Sequence, residues 1–284
     1  MEIRENALGF ELWHRDRLHA LCRVNEELAR SESPKPCFAP IYTPAGGLVT
    51  EYRPGDHAWH TGLYFGWVHA NDANLWGGPW YLPETKKYEY VDGTHGIQRH
   101  DGFPELAQAD GAVRVRQALT WLDGNDAPLA REERHFLVAA EEDACFWQVQ
   151  TRIEPATEKL VLGASRAARY SGFELRMGPP FADADHFDSE GRRGHEAIMG
   201  ERARWVVAAG AAGGAVAMFD HPQHPRHPVT WFARKNLLGA GLLMEEDLEL
   251  AAGEALDLCY GFWVGDAVPA VDEVDALYEE YVKD

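Results

Sequence analysis

Apolar side chains recur at every second position through most of this chain, in runs rich in β-branched and aromatic residues. A period of two is buried efficiently by a pleated strand with one face against a core. The pattern covers Leu18-Ala20-Cys22-Val24, Phe146 to Ile153, Leu160 to Leu162, Trp205 to Val207, Val216 to Phe219, Val229 to Ala233 and Leu256 to Val264. Turn signals separate the runs: Asp92-Gly93, Asp101-Gly102, Asp110-Gly111, Asp123-Gly124, Ala252-Gly253 and several prolines. Strands so spaced predict a mainly β protein built as a large antiparallel β-sandwich. Helical spacing appears only after Pro269, where Val271, Val274, Leu277, Tyr278 and Tyr281 predict a short C-terminal helix. No linker, low-complexity tract or short-period repeat divides the chain, so residues 1–284 are expected to form one β-sandwich domain.

The charge balance removes several functions. With 27 Lys+Arg against 46 Asp+Glu, the 284 residues carry a formal charge of −19. Nucleic-acid backbones and anionic lipid surfaces are held by clustered cations, so neither is an expected partner. The apolar stretches around Val206 to Met218 and Leu237 to Met244 are Gly/Ala-rich or too short for a bilayer, which takes about 20 apolar residues. The first residues, Met1-Glu-Ile-Arg-Glu-Asn, carry acids rather than the basic start of a secretory signal, and the expected location is cytoplasmic. Cys22, Cys37, Cys145 and Cys259 are scattered without a CxxC pair, which predicts reduced thiols rather than a disulfide frame.

The densest chemistry lies in Asp56-His57-Ala58-Trp59-His60-Thr61-Gly62-Leu63-Tyr64-Phe65-Gly66-Trp67-Val68-His69. Imidazoles exchange protons near neutral pH, and a neighbouring carboxylate orients them. Flat indole faces suit the C–H surface of a sugar ring. Surface histidines beside core aromatics would give the same pattern. In Arg131-Glu132-Glu133-Arg134-His135, Glu132 and Arg134 share one face if the segment is a strand, where they form either a base and anchor or a solvated charged face. Likewise Glu174 and Arg176 alternate with Phe173 and Leu175, which predicts one polar and one apolar face.

Three imidazoles fall in Asp220-His221-Pro222-Gln223-His224-Pro225-Arg226-His227-Pro228, a run that admits zinc or copper or simply a rigid exposed loop. Asp183, Asp185, Asp188 and Glu190 resemble a calcium loop but have Asp188 where its glycine belongs. Residues 178–200 are rich in Gly, Pro and charge and predict a long loop, a candidate rim for a site. GxGxxG, GxxxxGK[ST], GxSxG and HExxH motifs are all absent.

Taken together, Pro40-Ile41-Tyr42-Thr43-Pro44-Ala45-Gly46-Gly47, Asp56 to Leu63 and Asn74-Leu75-Trp76-Gly77 resemble the PmoA-like family. Glu132-Glu133-Arg134, Gly172 to Arg176 and Asp220 to Trp231 follow in the matching order, so the resemblance spans nearly the whole chain. Ala58-Trp59 stands where that family usually has Pro-His, and His224 where it has Asn. The resemblance implies a galactose mutarotase-like supersandwich, and with it carbohydrate chemistry carried by His and Glu on a concave face.

These readings converge on a carbohydrate-active enzyme of epimerase, lyase or hydrolase type, working by general acid-base catalysis on a small-molecule sugar. His57 and His60 are the expected proton-transfer groups, with Glu132 as partner base. Arg134, Glu174, Arg176 and His221 are expected to contact substrate, and Trp59, Trp67 and Trp76 to stack against it. No cofactor or metal is assigned, and the oligomeric state is left open. Two alternatives stand beside this reading. One is a non-catalytic sugar-binding module. The other is a metal-dependent oxygenase or hydrolase using His57, His60, His69 or the His221 to His227 run.

Overall fold

A computed structural model describes residues 1–109, 111–163 and 170–283, so Asp110 of the expected Asp110-Gly111 turn lies outside the described residues. Two eight-stranded sheets dominate, and every strand pairing within them is antiparallel. The first runs, edge to edge, through Glu2–Asn6, Gly9–His14, Arg17–Arg23, Cys37–Ile41, Leu63–Gly66, Gly172–Arg176, Leu237–Gly241 and Thr230–Arg234. The second runs through Asp185–Asp188, Trp205–Ala209, Ala215–Phe219, Leu256–Gly265, Ala144–Pro155, Pro128–Ala140, Ala112–Leu122 and Ile97–Ala109. The sandwich with a helical tail is therefore as expected, and the strands coincide with the period-two runs.

Alternation decides which side of each strand meets the core. In Pro128–Ala140, Glu132, Arg134, Phe136 and Val138 are buried while Arg131 and His135 are exposed. Apolar residues of the two sheets then interlock. Phe38 of the first sheet meets Phe136 and Trp147 of the second edge-on, at ring centroid separations of 5.0 and 4.8 Å. Such pairs contribute about 0.5–1.5 kcal/mol each beyond the area they bury.

The helix Val271–Tyr281 buries Val274, Tyr278 and Tyr281 in a separate cluster with Trp205, Phe219 and Phe146. Glu273 Oε2 accepts the Ala270 N–H at 2.7 Å at its N-terminus, satisfying a donor that the helix leaves free. Residues 178–200 do not form one irregular loop. Asp185–Asp188 pairs with Trp205–Ala209, and His195–Ile198 is a short helix, because His186 and Phe187 are buried and need a partnered backbone. Among the described residues no helix is long and apolar enough to cross a membrane.

The first sheet places the candidate site on its second face. Leu63, Phe65, Phe173, Leu175, Trp231 and Ala233 point into the shared core. Their alternates point away from it, and register aligns these in two rows. One row is Tyr64, Glu174, Gly239 and Phe232, and the next is Arg176, Leu237 and Arg234.

Candidate functional site

A double turn carries the histidines to this face. Arg53 N–H donates to the His60 carbonyl at 2.9 Å, His57 N–H to that of Pro54 at 3.0 Å, and His60 N–H to that of His57 at 2.9 Å. The two imidazoles consequently stack, with centroids 4.9 Å apart and 29° between planes. Asp56 Oδ2 lies 2.9 Å from His57 Nδ1, and that ring holds the Asp56 carboxyl below its ordinary range. Trp59 sits 5.0 Å from His57 and rests on Gly77-Gly78. Asn74 Oδ1 shapes that support by accepting the Trp76 and Gly77 N–H groups at 2.9 and 2.8 Å.

The opposite side comes from the sheet. Arg176 lies at the end of its strand, with Nε 3.2 Å from Glu51 Oε2. Tyr170 stacks on Trp76 at 4.3 Å and meets Phe232 edge-on at 5.4 Å. The hairpin turn Lys235-Asn236 brings Arg234, Lys235, Asn236 and Leu237 to the rim. Together with Gly77, Pro79, Tyr88 and His195, these residues and the His57-Trp59-His60 turn enclose an open cleft of about 670 Å³. Small-molecule sites commonly measure about 300–1,000 Å³.

Burial sets the electrostatics. It pushes the His60 imidazole well below its ordinary pKa, with His57 adding to the effect, so His60 is neutral at pH 7. Its Nδ1 is buried without a hydrogen-bond partner. Beneath the cleft, burial drives the Glu174 carboxyl up to about 8. Neither Glu174 oxygen makes a hydrogen bond. The Lys35 amine is likewise buried, facing the carbonyls of Glu32, Ser33, Trp59 and Trp76 at 3.3, 3.2, 3.2 and 2.8 Å. Burial pushes it down to about 7.

Of the residues singled out from sequence, the structure gathers His57, Trp59, His60 and Arg176 around the cleft. Trp76 backs its wall behind Tyr170, and Glu174 lies on the same face beneath it. The others sit elsewhere. Glu132 does not reach the histidines. It faces the interior, where it accepts Trp121 Nε1 at 2.6 Å, Thr151 Oγ1 at 2.7 Å and Arg134 Nε at 2.6 Å. Arg134 also pairs with Gln98 and stacks over the Phe65 ring. The same-face spacing was real, but that face is the core face. Trp67, just past the end of the Leu63–Gly66 strand, is fully buried in the core against Trp121, 5.6 Å away. His221 is buried 5.3 Å from the Tyr281 ring of the C-terminal helix, outside the cleft.

The neighbouring His run is organised by Asp220. Its Oδ1 takes His224 Nδ1, and its Oδ2 takes His227 Nδ1 at 2.7 Å and the Val229 N–H at 2.8 Å. Burial would raise the Asp220 carboxyl, but these donors hold it below its usual range. His224 Nε2 in turn accepts the Cys259 N–H at 2.7 Å, so both of its nitrogens are committed within the protein. Among the described residues no group of three or more His, Cys, Asp and Glu side chains is placed to hold a metal.

Sequence reading missed Tyr170, Phe232, Arg234, Lys235 and Asn236. The one available signal was Arg234-Lys235-Asn236, a polar interruption between two apolar runs and so a hairpin turn.

An antiparallel β-sandwich with an imidazole- and aromatic-lined cleft on the outer face of one sheet is the class of protein defined here. Within that class, the chain belongs to DUF6807, a family of unknown function whose model matches residues 13–279. That match does not carry the PmoA-like name. No curated protein matches the chain.

Similar solved structures include a mutant of the heparan sulfate lyase HepC from Pedobacter heparinus, at 8% identity and TM-score 0.40, covering 84% of this chain and 31% of the lyase. A beta-arabinopyranosidase aligns at 10% identity and TM-score 0.47, covering 87% of this chain and 38% of that one. A putative aldose 1-epimerase from Escherichia coli K12 aligns at 8% identity and TM-score 0.37, covering 87% of this chain and 95% of that one. The chain thus spans less than two-fifths of the lyase and of the arabinopyranosidase.

Proposed function

We propose that this protein is a carbohydrate-active enzyme of epimerase, lyase or hydrolase type, with His57 and His60 as its proton-transfer pair. The low TM-scores of the structural neighbours leave the cleft itself as the support. The observation that carries the reading is the stacked imidazole pair at the cleft surface, with Asp56 on Nδ1 of one ring and burial keeping the other neutral. Asp56 faces the Nδ1 side of His57 at 2.9 Å as an ion pair, without a well-aligned hydrogen bond, and Nε2 is the atom we assign to substrate. The neutral His60 takes a proton from a ring carbon or hydroxyl while His57 returns one to the opposite face or to a leaving oxygen. Net proton balance at the site is preserved. Trp59, Tyr170 and Phe232 supply flat walls for the ring, and Arg176 anchors its oxygens. Glu132 has no part in this scheme.

The same proposal treats residues 1–284 as one domain. It places the protein in the cytoplasm, supported by Cys22, Cys37, Cys145 and Cys259 all being free thiols. Its partner is a small-molecule carbohydrate rather than nucleic acid or membrane.

The test is NMR observation of sugars, sugar acids and short oligosaccharides incubated with the protein, alongside a binding titration. Turnover by the wild type that drops about 10²–10⁴-fold in His57→Ala and His60→Ala, with binding retained, is expected. Binding without any turnover in the wild type would instead establish a sugar-binding module. No binding of any sugar would end the carbohydrate reading.

A further inference from the structure

We infer that the ligand of this cleft is an anionic sugar, one bearing a carboxylate, sulfate or phosphate, and that Arg234 is the residue that selects it. The inference rests on the carbohydrate reading above and adds the charge of the substrate.

The observation is an inversion of charge. Acidic residues outnumber Lys and Arg 46 to 27 in the chain as a whole. The cleft lining has the opposite character: among the described residues its charged side chains are Arg176, Arg234 and Lys235, with no Asp or Glu. Three carboxylates outside the lining pair with its members. Glu51 pairs with Arg176 at 3.2 Å, Asp183 with Lys235 at 2.8 Å and Asp56 with His57 at 2.9 Å. Arg234 differs from the other two cations. Among the described residues no carboxylate pairs with it, and its guanidinium meets only the Phe232 ring, 5.8 Å from the centroid.

Sheet register adds a spacing. Arg176 and Arg234 both lie opposite Leu237, one on each side, so they share a face two strands apart, about 10 Å between backbones. Guanidinium groups bind planar oxyanions through paired N–H donors, and Leu237 between these two arginines, with Phe232 in the adjoining row, offers an apolar surface for the ring that bears the anion. A neutral sugar would leave the Arg234 charge unused.

The experiment is calorimetric titration of the full-length protein with D-glucuronate, D-galacturonate and glucose 6-phosphate, against D-glucose and D-galactose, with sodium phosphate and sodium sulfate alone as further arms. The same series is run on Arg234→Gln, whose folding is checked by its melting temperature. At least one anionic sugar is expected to bind about tenfold or more tightly than its neutral counterpart. That preference is expected to shrink with added salt, and most of it to be lost in Arg234→Gln. Equal binding of neutral and anionic sugars, or an equal loss of both in Arg234→Gln, would overturn the anionic assignment and leave the carbohydrate reading standing. Binding of inorganic phosphate or sulfate with no sugar bound would overturn both.

Discussion

Gly239 stands directly across the sheet from Glu174, and the space its side chain would fill holds the Glu174 carboxylate. A Cβ built at Gly239 would lie 2.1 Å from Oε2. The glycine thus lets a carboxyl group sit buried beneath the cleft without a hydrogen bond.

That arrangement makes stability depend on pH in a definite direction. Burial raises the folded-state pKa of Glu174 from 4.5 to about 8. Between those values the folded chain keeps a proton that the unfolded chain releases, so this group's contribution falls as pH rises, by up to about 1.4 kcal/mol per pH unit. Glu174→Gln removes the titration. Urea melts at about pH 5 and about pH 8 are expected to show the variant gaining on the wild type at the higher pH. A difference that does not change with pH would refute the protonated carboxyl.

Buried histidines work in the opposite sense. Burial pushes His19 and His186 each down to about 4, and His60 well below its ordinary value. Unfolded, these rings take up protons below about pH 6.5, whereas folded they stay neutral. Each therefore withdraws up to about 1.4 kcal/mol of stability per pH unit as pH falls from about 6.5 toward about 4. His19→Gln is expected to unfold less steeply with acid than the wild type, as read by denaturant melts across that range.

Trp59 depends on Gly78 for its seat. A Cβ at Gly78 would fall 2.4 Å from the indole Cε2, and the φ there is +73°. Gly93 has the same φ with open space around it, so Gly93→Ala tests backbone strain alone. Gly78→Ala is expected to destabilise by about 1–3 kcal/mol more than Gly93→Ala, and to weaken ligand binding by displacing the indole. Paired melting curves and titrations check both effects.

Glu132 is expected to matter for stability rather than chemistry. Its side chain is fully buried and engaged by Arg134, Trp121 and Thr151. Glu132→Ala strands the Arg134 charge in the core and should cost about 3–5 kcal/mol, read from denaturant unfolding. Protein that remains folded should bind ligand as the wild type does. Loss of turnover at undiminished stability would instead return Glu132 to the reacting centre.

Much of the architecture was legible because it depends on short-range periodicity. The run Phe146 to Ile153 alternates so regularly that its strand, Ala144–Pro155, follows from pleating alone. The helix Val271–Tyr281 was readable from spacing for the same reason. So was the proximity of His57, Trp59 and His60, since a tight turn keeps near neighbours together.

What periodicity could not say was which way a face points. Glu132/Arg134 and Glu174/Arg176 show the same alternate spacing, yet the first pair is packed between the sheets and the second lies on the outer face toward the cleft. Pleating makes i and i+2 share a face, but only the pairing of distant strands decides whether that face meets core or ligand. Arg234 reaches the cleft because its strand pairs with Leu237–Gly241, which pairs with Gly172–Arg176, a sequence separation of nearly sixty residues that no local pattern encodes. The sequence by itself determined the strands, the turns and the local histidine pair. Tertiary structure alone decided which charges meet at one cleft, because that depends on long-range register.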